Sequence, residues 1–214
     1  MSEGSGVIEV QFDARYGSTS GFREAIYRIA RSSPRSLKSR NIVKASWLET
    51  PIGQMLAVAD DHTLHLLEFF DRKGLPNELL KLQQQTQSAI NFERNRIIDH
   101  IEIELKDYFS AKSFRFTTPL ALHGSPFTVL VWQELLQIKP GFTLSYAALA
   151  QSVERPKAVR AVARANAHNQ LAIIVPCHRV IGSNGSLTGY AGGLWRKDWL
   201  LRHEKRALDT NVSC

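Results

Sequence analysis

A chain of 214 residues with 43% hydrophobic and 22% charged residues has the composition of an ordinary globular protein, long enough for one large domain or two small ones. No apolar run approaches the roughly 20 residues that span a bilayer, and the polar start Met1-Ser2-Glu3-Gly4-Ser5-Gly6 has no signal-peptide pattern. The net charge of +7 is uneven: the segment Lys139 to Arg206 holds eleven Lys and Arg against three Asp and Glu, which suggests a polyanionic partner, nucleic acid first, beside the plainer reading of a solvated basic face.

In chain order, Val7 to Tyr16 and Ser20 to Arg31 read as helices separated by the turn Gly17-Ser18-Thr19-Ser20, with Ser20 as N-cap. Residues 32–40, rich in Ser, Arg and Lys, read as a linker. Residues 43–70 read as short strands: Pro51-Ile52-Gly53 is a turn, Met55 to Ala59 a strand, Asp60-Asp61-His62 a turn and Leu64 to Phe70 a strand. Helical patterns are predicted over Pro76 to Thr86 and Ile90 to Phe109, the latter with Ile97, Ile98, Ile101, Leu105 and Tyr108 on one buried stripe. Ser125 as N-cap and Pro126 as first residue open a further helix that carries Phe127, Leu130, Val131, Leu135 and Ile138 and stops at Pro140-Gly141. Ser145 to Ser152 and a helix from Pro156 through Asn166, rich in Arg and Ala, then form a helix-turn-helix pattern that any helical hairpin could also show.

The run Ile173-Ile174-Val175-Pro176-Cys177-His178-Arg179-Val180 reads as a buried strand ending at a proline, with a thiol fixed at its end beside an imidazole and a guanidinium. For an isolated Cys-His pair the plainer reading is a structural cysteine. The chain has one other cysteine, Cys214. Two so placed argue against a disulfide framework and a zinc ligand set, and favour a reducing, cytoplasmic setting.

Taken together, residues 124–206 resemble the O6-alkylguanine-DNA alkyltransferases (methylated-DNA–protein-cysteine methyltransferases). The matching stretches are Gly124-Ser125-Pro126-Phe127, Val131-Trp132, Ser145-Tyr146, Leu149-Ala150, Arg160-Ala161-Val162, Asn169, Ile174 to Ile181, Gly189-Tyr190-Ala191-Gly192-Gly193, Leu200-Leu201 and His203-Glu204. Residues 42–117 more loosely resemble the small α/β domain that precedes the catalytic domain in this family. Residues 12–34 resemble the second helix-turn-helix of an AraC-type regulator, as fused in Ada-type proteins, without the Ada zinc domain. The resemblance implies an α/β (α+β) fold: a fragment and linker at 1–40, a small sheet domain at 41–120, a mainly helical catalytic DNA-binding domain at 121–208 and a tail at 209–214.

It also implies single-turnover repair, with an alkyl group passing from O6 of guanine (or O4 of thymine) in double-stranded DNA to Cys177. His178 would accept the thiol proton through a water, Glu204 would orient the imidazole, and Tyr146 would donate to the departing oxygen. Asn169 would tie the helix-turn-helix to the active-site segment. Tyr190 would stack on the base, and Gly192-Gly193 would let the loop close. Main-chain groups of Cys177, Val180 and Ala191 would read guanine. Arg160 would fill the space left by the flipped nucleotide, with Ala161 and Arg179 also at the DNA. No cofactor, metal or membrane is implied, and the expected state is a monomer. The alternatives are an Ada-type transcriptional regulator or damage sensor, and a cysteine hydrolase, although no hydrolase signature surrounds Cys177.

Overall fold

The computed structural model describes residues 19–31 and 41–211. The expected helix over Val7 to Tyr16, the linker at 32–40 and Cys214 lie outside the described residues. A four-stranded sheet organises the first half. Strands β1 (Asn41–Leu48), β2 (Met55–Ala59) and β3 (Leu64–Phe69) form an antiparallel meander, and β4 (Ser88–Phe92) adds to β1 in parallel, giving the order β3-β2-β1-β4. Because successive side chains alternate across a strand, Met55, Ala57 and Ala59 face one hydrophobic core while Leu56 and Val58 face another.

Helices α1 (Thr19–Arg31) and α2 (Leu75–Thr86) cover the second face. Ile26, Ala30, Leu75, Leu79 and Leu82 pack there on Val43, Leu56, Val58, Leu66 and Ile90. Tyr27 accepts a hydrogen bond from Trp47 Nε1 at 3.2 Å, and Gln83 donates to the Ala30 carbonyl at 3.3 Å. The helix read as part of a regulator fragment therefore belongs to the hydrophobic core of the sheet.

The first face meets α3 (Arg96–Phe109) and the helices of the second half in one continuous core. The long helix expected from Ile90 is shorter than the sequence pattern suggests. Residues 88–92 extend because they complete β1 as a parallel partner, and the helix starts only after Asn95, whose side chain accepts from Ile98 N at 3.0 Å. In the second half, α4 (Pro126–Leu135) begins with Ser125 as cap, as expected, but ends before Ile138. Helix α5 (Tyr146–Ser152) is capped by Ser145. A turn with Glu154 at φ 56° leads to α6 (Val159–Ala167), which starts three residues after Pro156. The closing helix is α7 (Leu194–Asn211). A short parallel pair, β5 (Leu144–Ser145) with β6 (Val180–Ile181), brings the start of α5 beside the cysteine segment.

The cysteine segment is not a strand. Only Leu171 bridges to the sheet, and Val175 N bonds back to the Leu171 carbonyl at 2.9 Å, making residues 171–175 a buried turn. Ile173 sits there at φ 73°, a left-handed conformation that costs a β-branched residue energy and that the surrounding structure must enforce. The apolar, β-branched composition reflects burial on all sides rather than strand pairing. The free edge of β3 holds this turn: Leu67 N donates to Gln170 O and Ala172 N to Leu67 O, both at 2.8 Å. No helix among the described residues is long and apolar enough to cross a membrane.

Since Ile26 is fully buried on the second face, Ile26→Ala should lower unfolding free energy by about 2–4 kcal/mol in urea denaturation, without abolishing the activity of a site on the opposite face.

Candidate active site

The buried turn ends at Pro176, and a short 3-10 helix, Cys177–Arg179, follows. It places three side chains in sequence into the interior: Cys177 is 6% exposed, His178 0% and Arg179 5%. The Cys177 sulfur lies 3.0 Å from Asn169 Nδ2, which also donates to Val175 O at 2.8 Å, while Asn169 Oδ1 accepts from Leu171 N at 2.9 Å. Asn169 thus holds the turn and the thiol together. Burial pushes the thiol up to about 11; the Asn169 hydrogen bond opposes this, Glu68 adds to it, and the charges of Arg72 and Lys197 oppose it.

Glu204, fully buried on α7, is the node of the site. Its Oε1 accepts from His178 Nε2 at 2.8 Å, Tyr108 Oη at 2.7 Å and Arg179 Nη2 at 2.8 Å; its Oε2 accepts from Arg179 Nε at 3.0 Å and Gly141 N at 2.9 Å. Burial would raise the Glu204 carboxyl, but the hydrogen bonds and charges of His178 and Arg179 outweigh it and hold it far below the ordinary 4.5. An ionised carboxylate at Nε2 fixes the imidazole tautomer with its proton on that nitrogen. Nδ1, buried and without a partner among the described residues, is then an acceptor. Burial also lowers the imidazole pKa, against the pull of Glu204.

Around the thiol, Tyr146 Oη lies 3.3 Å from the carbonyls of Thr188 and Gly189. Burial and the Cys177 charge raise its pKa, so it remains a donor at neutral pH. Gly189, at φ 58°, sits so close to this phenol that a Cβ would lie 2.9 Å from Oη. Tyr190, Ala191 and Gly192 form one wall of the cavity at Cys177, which holds about 10 Å³, room for a single water-sized sphere. Gly192 is required by close approach rather than by looseness: a Cβ there would lie 2.8 Å from both Phe69 and Tyr190. Both carbonyls expected to read a base are engaged. Cys177 O accepts from Val180 N and, at 3.4 Å, from Asn166 Nδ2, and Val180 O accepts from Lys197 Nζ.

Arg160 is exposed at the start of α6, with Ala161 half-buried beside it, as a surface contact requires. Arg179 corrects the sequence reading. Its guanidinium is consumed by Glu204 and the Ile138 carbonyl, and so buried a group cannot reach DNA. The sequence reading also misses Glu68, Arg72, Asn166 and Lys197 near the thiol, and Tyr108 at Glu204. A charged residue inside the apolar run Leu64–Phe69 was the available signal for Glu68; Tyr108 reads as one more apolar position of α3.

Residues 126–206 match the family model described as 6-O-methylguanine DNA methyltransferase, DNA binding domain. Among curated relatives, a methylated-DNA–protein-cysteine methyltransferase of Shigella flexneri is 38% identical over 161 residues, covering 73% of this chain and 92% of the relative. One of Mycolicibacterium paratuberculosis is 50% identical over 159 residues, covering 74% and 90%. Among solved structures, the O6-methylguanine methyltransferase of Mycobacterium tuberculosis superposes with a TM-score of 0.66 at 36% identity, covering 77% of this chain and 94% of that one. The same organism's protein in complex with DNA gives 0.65 at 34% identity, covering 78% and 94%.

A carboxyl held below its unfolded value adds stability that is complete above that value and is lost as pH falls through it. Thermal midpoints should therefore drop on acidification below about pH 4.5. Glu204→Gln should flatten that acid limb and cost about 3–5 kcal/mol at pH 7, because a carboxamide cannot accept from all five donors.

Proposed function

Because the chain belongs to the methylated-DNA–protein-cysteine methyltransferase family, we propose that Cys177 is its alkyl acceptor and that the buried site around Glu204 activates it. The protein is a DNA-repair enzyme that reverses alkylation directly, acting on O6-alkylguanine in double-stranded DNA as a methylated-DNA–protein-cysteine S-methyltransferase. The observation that carries the residue assignment is the buried His178–Glu204 pair at 2.8 Å, adjacent in sequence to a thiol that Asn169 contacts at 3.0 Å.

A thiol pushed to about 11 is almost wholly protonated at pH 7, so the step needs a base. His178 Nδ1 takes the proton through one water, and the imidazolium formed is stabilised by Glu204. The Cys177 sulfur then attacks the alkyl carbon in line. The C–S bond forms, the C–O6 bond breaks, its electron pair goes to O6, and Tyr146 supplies a hydrogen bond or proton there. The products are S-alkylcysteine and guanine. No group here hydrolyses a thioether, so each chain acts once.

The target lies inside the duplex and must be flipped out. The cavity at Cys177 is too small for a purine, so the wall formed by Tyr190, Ala191 and Gly192 moves outward to admit the base. Arg160, on the exposed face of α6, occupies the vacated stack, with Ala161 permitting close approach. A cytoplasmic location and a monomeric state belong to the same proposal: the substrate is DNA and the thiol must stay reduced.

Incubation with a duplex containing one O6-methylguanine should add a single methylene mass to the Cys177 peptide, saturating at one per protein. Tight lesion binding with no adduct on a reduced thiol would instead favour the regulator or damage-sensor reading. Cys177→Ser should abolish transfer while DNA affinity is retained. Arg160→Ala should slow duplex repair by about tenfold or more but leave reaction with free O6-benzylguanine nearly unchanged; equal losses would remove Arg160 from nucleotide extrusion.

A further inference from the structure

The end of β3 and the turn after it bring two side chains, Glu68 and Arg72, into the wall of the Cys177 cavity, and the chemistry above uses neither. Glu68, 2% exposed, lies in an otherwise apolar stretch; its Oε1 accepts from Phe69 N at 2.9 Å and its Oε2 pairs with Arg72. Arg72, 9% exposed, donates from Nη1 to Asn169 O at 2.8 Å and from Nη2 to Ala167 O at 3.1 Å, and pairs through Nη2 with Glu78 at 2.7 Å. One guanidinium therefore fastens the last residue of α6 and the backbone of the asparagine whose Nδ2 lies 3.0 Å from the sulfur.

We propose that Arg72 is a positioning residue for alkyl transfer: it holds Asn169 against the Cys177 sulfur and offsets the negative charge of Glu68 beside that thiol. This rests on the reading of Cys177 as acceptor. The groups that act on the thiol from the packed elements are Glu68 from β3, Arg72 from the turn after it, Asn169 from the turn after α6, Lys197 from α7, and the phenols of Tyr146 and Tyr190. Of these Glu68 is the one anion, and a thiolate forming beside it is disfavoured unless Arg72 is in place. Burial pushes the Glu68 carboxyl up and the Arg72 charge pulls it back, so the pair keeps its charges only together. The guanidinium suits this task because its planar fork reaches two carbonyls and two carboxylates at once, which an ammonium cannot do.

The test follows two readouts on the full chain: the pH midpoint for carbamidomethylation of Cys177 by iodoacetamide, read on the Cys177 peptide, and the single-turnover rate with methylated duplex. Glu68→Gln should move the midpoint to lower pH by about half a unit or more. Arg72→Gln should move it upward and slow transfer by about tenfold or more, and the double variant should return the midpoint toward that of the parent while transfer stays slow. Should Arg72→Gln fail to fold, Arg72→Lys keeps the charge but not the fork, and should slow transfer with little change in midpoint. A Glu68→Gln midpoint that coincides with the parent's would overturn the proposal, as would parental transfer rates in Arg72→Lys. A parent chain whose Cys177 reacts with iodoacetamide but never takes up methyl would refute the acceptor reading instead.

Discussion

The site depends on one buried carboxylate. Glu204 is fully removed from solvent, and moving an ionised carboxylate out of water costs several kcal/mol unless donors replace the lost hydration. Five donors from three parts of the chain do so: Tyr108 on α3, Gly141 before β5, and His178 and Arg179 on the 3-10 helix, the last through two nitrogens. The same contacts set the tautomer of His178, fix its imidazole in place and pin α7 to the rest of the core. Site geometry and folding stability thus share one group, and Arg179, with Ile138 as its second partner, serves both by neutralising the carboxylate.

The second constraint is the edge of the sheet. An unpaired edge strand presents free N–H and C=O groups, and here the segments at 119–121 and 170–172 occupy them through Leu64 and Leu67. The cysteine turn is therefore built on the sheet, with Ile173 forced to positive φ three residues before Pro176 and the thiol immediately beyond. This explains why one hydrophobic core runs from Met55 and Phe69 through α3 to Trp132, Val175 and Leu200. The sheet half fixes the frame of the reactive half, and through Glu68 and Arg72 it also brings charge to it.

Charge divides the molecule by depth. The basic excess read from Lys139 to Arg206 has two physical fates. Arg160 and Arg164 are exposed on α6, where they suit a polyanion, whereas Arg179, Arg196 and Lys197 are buried and spend their donors on carbonyls and carboxylates of this chain. Arg196, for example, joins the loop at Gly192 to Ile52 in the turn between β1 and β2 and to Asp71 in the turn after β3. A count of basic residues cannot distinguish these fates, because burial is settled by neighbours distant in sequence.

Local chemistry made much of the chain legible without its fold. Ser125, Pro126 and Ser145 mark helix starts because capping is a matter of neighbouring residues, and the turns Pro51-Ile52-Gly53 and Asp60-Asp61-His62 mark the strands they bound because turn chemistry is equally local. The thiol, imidazole and carboxylate were found through the motif that carries them. The fold alone decided that Ile90 lies in a strand, since its parallel partner Val43 stands 47 positions earlier, and that the β-branched run before Cys177 turns rather than extends, since the edge of β3 claims its backbone. It also decided that Tyr108 and Arg179 serve Glu204 and that Glu68 and Arg72 stand at the thiol. Sequence sets what each residue prefers among its immediate neighbours; the identity of a buried charge's partner is fixed only when distant segments meet in a medium where no water can take the partner's place.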